Sequence, residues 1–136
     1  MNIDARPYNK GAKHTRNHVT APQEARHKLK GAKVFSEFDM GNGFHQVLLA
    51  AGSQGIFQSH LGLYRMKRLF FGQTNSSGIF HHKVTKVFAG LEGCITIHDN
   101  LLVYGADEKE HNRNMAAMLE RAKKKGVTLK LSKSTI

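Results

Sequence analysis

The sequence predicts an α+β domain in which helices pack on one face of a mostly antiparallel sheet. Three features carry that prediction. Short β-prone runs occupy residues 33–69, the apolar period becomes helical near residue 75, and strand-like and helix-like stretches then alternate to the C-terminus.

Each element has its own local reason. Residues 1–30 are poor in large apolar groups and rich in Lys, Arg, His, Asn and Gln, with Pro7 and Pro22 as punctuation. That composition predicts an irregular or partly disordered basic arm. Val34, Phe35 and Phe38 then make a short strand pattern ending on Asp39, which Gly41 and Gly43 break. Gln46–Ala50, Ile56–Ser59 and, after Gly62, Leu63–Leu69 read as further strands.

From about Asn75, Phe80, Val84, Val87, Phe88 and Leu91 fall on one face of an amphipathic helix, and Gly90 and Gly93 suit its end. Asn75, Ser76 and Ser77 read as an N-cap cluster. Residues 95–104, ITIHDNLLVY, place two β-prone runs around a polar centre and predict a hairpin with Asp99 at its tip. Asp107 and Glu110 then stand at capping-box spacing. Met115, Met118, Leu119 and Ala122 supply that helix's buried stripe, and Gly126 stops it. Val127, Leu129 and Leu131 alternate as a last strand.

Composition narrows the function. The chain has 136 residues, 40% hydrophobic and 23% charged, which suits one domain with a real core. No apolar run is long enough to span a bilayer and no secretory h-region is present, so no membrane partner is expected. The single Cys94 excludes an internal disulfide and a cysteine zinc cluster, and it reads as a small core residue. An intracellular setting, cytoplasmic or nuclear, follows as the expectation. The nine histidines, among them His45 and His81-His82, show no zinc-ligand spacing and are expected at the surface. Twenty-one Lys and Arg against ten Asp and Glu give a net charge of +11, which favours nucleic acid, RNA or DNA, as partner. The run Lys123–Lys125 sits where cations complement a helix dipole, with phosphate contact as the competing role.

Asp39 and Asp99 both lie at the ends of apolar strands. Neighbouring strand ends can bring such acids side by side, where oxygen ligands hold Mg²⁺ and serve phosphoryl transfer. An Asp at a turn is also an ordinary turn former, and the spacing alone does not separate the two readings.

The surrounding residues carry a resemblance. Phe35-Ser36-Glu37-Phe38-Asp39-Met40-Gly41-Asn42-Gly43-Phe44-His45-Gln46-Val47 is similar to the first catalytic motif of reverse transcriptases from gypsy-type LTR retrotransposons. Ile3–Lys10 resembles that family's "VDYRxLNK" segment, and Phe57, Gly62 and Tyr64 match its next strands. Phe71–Phe80 resembles "PFGLxNAPxxF", residues 97–100 fall on the "YxDD" hairpin, and Glu110-His111 with Gly126-Val127 fall on the following helix and strand. The order is kept along almost the whole chain.

The resemblance implies a polymerase palm, a ferredoxin-like antiparallel sheet with helices on one face. Residues 31–136 would form it, and residues 1–30 a basic arm with part of the fingers. Asp39 and Asp99 would be the catalytic and metal-binding acids for Mg²⁺ or Mn²⁺, with Asn100 beside them. Phe44 would be the sugar gate, and Phe71, Gly72 and Gln73 would lie near the incoming nucleotide and template, with Arg6 in the fingers. The departures are Ile97 for the hairpin tyrosine, Asn100 for the second acid, Ser77 for proline, Gln73 for leucine, and Gln54-Gly55 for Lys-Thr. Asn100 keeps a carbonyl oxygen but removes a negative charge. Upstream fingers strands, primer grip, thumb, connection and ribonuclease H regions are absent from the sequence. A truncated, diverged palm with weak or no polymerase activity by itself is therefore expected. The alternative is an exapted structural protein that self-assembles into a homo-oligomer through exposed sheet edges or apolar faces.

Overall fold

The computed structural model describes residues 4–12 and 22–136. Its centre is a three-stranded antiparallel sheet of β1 (Val34–Asp39), β4 (Cys94–Ile97) and β5 (Asn100–Gly105), in the order β1-β5-β4. Between β1 and β4 come the hairpin β2 (Ile56–Ser59) and β3 (Gly62–Arg65), then helix α3 (Ser76–Phe88). Helix α4 (Glu108–Lys125) follows β5.

Alternation decides the layers. Ser36 and Phe38 of β1 and Leu101 and Val103 of β5 point to the helices and are buried, whereas Phe35 and Glu37 stay exposed on the opposite face. Phe80, Val84 and Phe88 of α3 and Met118 and Ala122 of α4 close the core with Leu69. This is the α+β arrangement that the apolar periods predict.

Helix α4 begins at Asp107, whose carboxylate accepts the Glu110 N–H at 2.7 Å, while Glu110 in turn accepts the Ala106 N–H at 2.9 Å. It ends in a Schellman turn, with Gly126 left-handed at φ 69° and Val127 N–H donating to the Ala122 carbonyl. Its buried stripe differs from expectation. Leu119 is 41% exposed, and His111 and Asn114 take buried places instead. Both are satisfied there: His111 Nε2 meets Ser36 Oγ at 2.9 Å, and Asn114 Nδ2 donates to the Tyr104 carbonyl at 2.9 Å. His111 and His81 therefore correct the expectation of surface histidines.

Several strand expectations are also corrected. Gln46–Ala50 starts with a 3₁₀ turn over Gly43–Gln46 and meets the Leu63–Leu69 run only at a single Leu48–Arg68 bridge, because β3 stops at Arg65. Val127–Leu131 is not a strand. The Gln46 side chain occupies both the N–H and the carbonyl of Thr128, Lys130 N–H goes to the Asp39 carbonyl, and a 3₁₀ turn at Leu131–Lys133 follows. Thr135 then pairs with Glu37, so this segment covers the outer edge of β1.

The arm holds two short helices, α1 (Arg6–Gly11) and α2 (Pro22–Lys28), rather than irregular chain alone. Pro7 lies at the start of α1 and Pro22 opens α2, where a missing N–H costs nothing. Arm residues 1–3 and 13–21, with Ile3 of the segment Ile3–Lys10 among them, lie outside the described residues. Cys94 is half-buried, and burial pushes its thiol up to about 11. Among the described residues no helix is long and apolar enough to cross a membrane.

Candidate active site

Asp39 is the last residue of β1 and is held on both sides. Its N–H donates to Ser134 Oγ at 3.3 Å, its carbonyl accepts from Lys130 N–H at 2.8 Å, and it pairs directly opposite Asn100 of β5. Asp99 occupies the second position of the two-residue turn that joins β4 to β5. His98 before it is left-handed at φ 51°, a conformation that the tight turn demands. Sixty residues apart in sequence, Asp39 and Asp99 line one cavity of about 250 Å³.

The same cavity is lined by Phe44, Phe71 and Phe80 and by Lys130 and Lys133. Phe44 is buried, stacked edge-on to Phe80 at 5.2 Å and tilted against Phe71 at 4.7 Å. Gly43 is required beside it, since a Cβ there would run into the Phe80 ring. Phe71 is 61% exposed and also meets the His45 ring at 5.7 Å. Two acids, three aromatic residues and two lysines therefore share the lining of one cavity.

The other expected site residues fall elsewhere. Asn100 pairs opposite Asp39 but is not among the residues that line the cavity, and its Nδ2 donates to Glu37 Oε1 at 2.6 Å. Gly72 and Gln73 do not line the cavity. Gly72 is left-handed at φ 86°, its carbonyl accepts Asn9 Nδ2 at 2.8 Å, and Gln73 is buried with its Oε1 accepting from Ser76 Oγ at 3.3 Å. The buried Gln73 amide thus serves the start of α3, next to the bond from Ser76 Oγ to the Phe70 carbonyl at 2.7 Å. Arg6 is exposed on α1 and binds Asp4 at 2.9 Å; that hydrogen bond holds the Asp4 carboxyl down at about 2.

Sequence reasoning missed Lys130, Lys133, Glu37 and Asn9. Lys130 was hidden inside the alternating Val127–Leu131 pattern that read as a strand, and Lys133 follows just after it. Asn9 lay within the Ile3–Lys10 segment; its amide clips α1 to the turn after Phe71, donating to Gly72 and accepting from Thr74 N–H at 2.9 Å.

The donors at the acidic end suit a hard divalent cation. Mg²⁺ is commonly held by one or two carboxylates, with water and substrate phosphate completing its shell. Asp39 and Asp99 supply that pair, and among the described residues no cluster of three or more His, Cys, Asp or Glu gathers to hold a metal.

This architecture is that of a polymerase palm. A foamy virus protease-reverse transcriptase solved with an RNA/DNA hybrid matches 98% of the chain at a TM-score of 0.79 and 20% identity, using 18% of its own length. A second foamy virus form, in complex with double-stranded DNA, matches 97% of the chain and 23% of its own length at a TM-score of 0.76 and 21% identity. The family described as "Reverse transcriptase (RNA-dependent DNA polymerase)" matches residues 1–136, and the chain belongs to it. The chain is 33% identical over 106 residues to a retrovirus-related Pol polyprotein from transposon 412 of Drosophila melanogaster, covering 75% of this chain and 9% of that protein. It is 31% identical over 112 residues to polyprotein P3 of Commelina yellow mottle virus, covering 80% of this chain and 6% of that protein. The chain thus spans under a tenth of the length of both curated relatives.

Proposed function

We propose that this domain, of gypsy-type retrotransposon descent, performs weak Mg²⁺- or Mn²⁺-dependent nucleotidyl transfer on nucleic acid. The observation that carries the reading is the shared cavity of Asp39, Asp99, Phe44, Lys130 and Lys133. Asp39 and Asp99 hold the cation. When bound, it supplies Lewis-acid stabilisation to the oxygens that gain charge during transfer. Lys130 and Lys133 attract the phosphates, Phe44 limits space at the sugar, and the exposed Phe71 ring offers a stacking surface. The net charge of +11 supports a polyanionic partner. Weakness follows from Asn100, which lacks the charge of an acid beside Asp39.

The test is extension of a primed template with Mg²⁺ or Mn²⁺. Slow extension is expected, and Asp39→Ala is expected to remove it. Extension that survives Asp39→Ala, or none from the wild-type chain at any metal concentration, overturns the reading.

A second reading, self-assembly, is favoured by the β2–β3 hairpin, where Ile56, Leu61 and Leu63 are 64%, 73% and 74% exposed. Such a cluster of apolar groups promotes association. Light scattering without nucleic acid should then show oligomers that Leu63→Asp disperses. A monomer at all concentrations removes this reading.

A further inference from the structure

The Glu37 side chain plays no part in the core or in the backbone pairing of the sheet, yet it makes one of the shorter side-chain contacts of the molecule. Alternation along β1 puts Phe35, Glu37 and Asp39 on one face, and register puts Asn100 directly opposite Asp39. The Asn100 side chain turns diagonally and donates Nδ2 to Glu37 Oε1 at 2.6 Å. A hydrogen bond to a carboxylate is stronger than one between neutral groups.

An amide has a donor end and an acceptor end, and they cannot both face the same neighbour. The other carboxylate at hand is Asp39, directly across the pair. An NH₂ turned towards Asp39 would give that acid a hydrogen bond in competition with a cation. With one Nδ2 hydrogen given to Glu37, Asn100 Oδ1 is turned away from that carboxylate, and no described residue donates a hydrogen bond to it. A carbonyl oxygen is a donor that hard cations accept. Among the described residues no third His, Cys, Asp or Glu joins Asp39 and Asp99 in a ligand cluster, whereas the Asn100 carbonyl, opposite Asp39 in the register, is a neutral oxygen close at hand.

We infer that Glu37 is a positioning residue: it holds the Asn100 amide so that its carbonyl, not its NH₂, is offered beside Asp39. The inference rests on the metal-site reading proposed above. It assigns to Asn100 an oriented oxygen in place of the missing acid, and to Glu37 the task of orienting it.

Mn²⁺ alone is the probe, with free Mn²⁺ followed by electron paramagnetic resonance and folding followed by far-ultraviolet circular dichroism. Glu37→Ala is expected to weaken Mn²⁺ affinity about tenfold, the lower end for losing a partner that orients a ligand. Glu37→Gln keeps an acceptor for Nδ2 and is expected to stay close to wild type. In an Asn100→Asp background there is no amide to orient, so Glu37→Ala should lose its effect. If Glu37→Ala leaves affinity unchanged while Asp39→Ala destroys it, this inference falls and the metal site stands. Equal weakening by Glu37→Ala in both backgrounds also overturns it, since only charge would then be at work. If the wild-type chain takes up no Mn²⁺, the metal-site reading and the inference fall together.

Discussion

Phe38→Ala is expected to lower the free energy of unfolding by about 3–5 kcal/mol, the range for truncating a buried aromatic. Phe38 is 1% exposed, at the middle of the core that joins β1 to the helices, and it pairs opposite Leu101, which is wholly buried. Neither strand can move in to fill the space, because β1 is bonded on one side to β5 and on the other to Thr135. Against a usual total of about 5–15 kcal/mol, such a loss is a large share of the stability. Urea unfolding followed by circular dichroism checks it. A change below about 1 kcal/mol would mean that the helices collapse onto the cavity and that this core is not held rigid by its strands. Because Asp39 is the next residue, the same substitution should also loosen the site.

Asn100→Asp is expected to act on function in the opposite direction. A second acid beside Asp39 restores charge where the cation is held, and extension with Mg²⁺ should rise about 10–100-fold, or about 1.4–2.8 kcal/mol of barrier. The same change removes the bond to Glu37 and sets the new carboxylate against Asp39 and Glu37, like charges on adjacent strands. The metal-free chain should therefore melt earlier than wild type, and added Mg²⁺ should return the lost stability, since a ligand bound only by the folded state stabilises it by mass action. Primer extension and melting curves with and without Mg²⁺ measure both effects. An unchanged rate together with an unchanged melting temperature would show that position 100 is remote from the site.

Much of this molecule was legible locally. The periods of α3 and α4, the hairpin at residues 95–104, and Asp39 and Asp99 at strand ends are properties of contiguous residues. They rest on side-chain spacing and turn chemistry, which need no distant partner. The failures share one cause. Val127–Leu131 alternates like a strand, but its backbone groups are taken by Gln46 and Asp39, which lie more than 80 positions earlier. His111 looks like a surface residue on a polar helix and is buried because Ser36 waits for it on β1. Lys130 and Lys133 enter the cavity only because their segment folds back along β1.

By itself, then, the sequence determined the two long helices, the β4–β5 hairpin, the palm-type order of motifs and the two acids. Tertiary structure alone decided that these acids share a cavity with two lysines and that Asn100 is bound by Glu37, 63 positions away. The physical reason is range: a hydrophobic period is written in neighbours, whereas the electrostatics of a site depend on which distant backbone and side-chain groups the sheet register brings within hydrogen-bond reach.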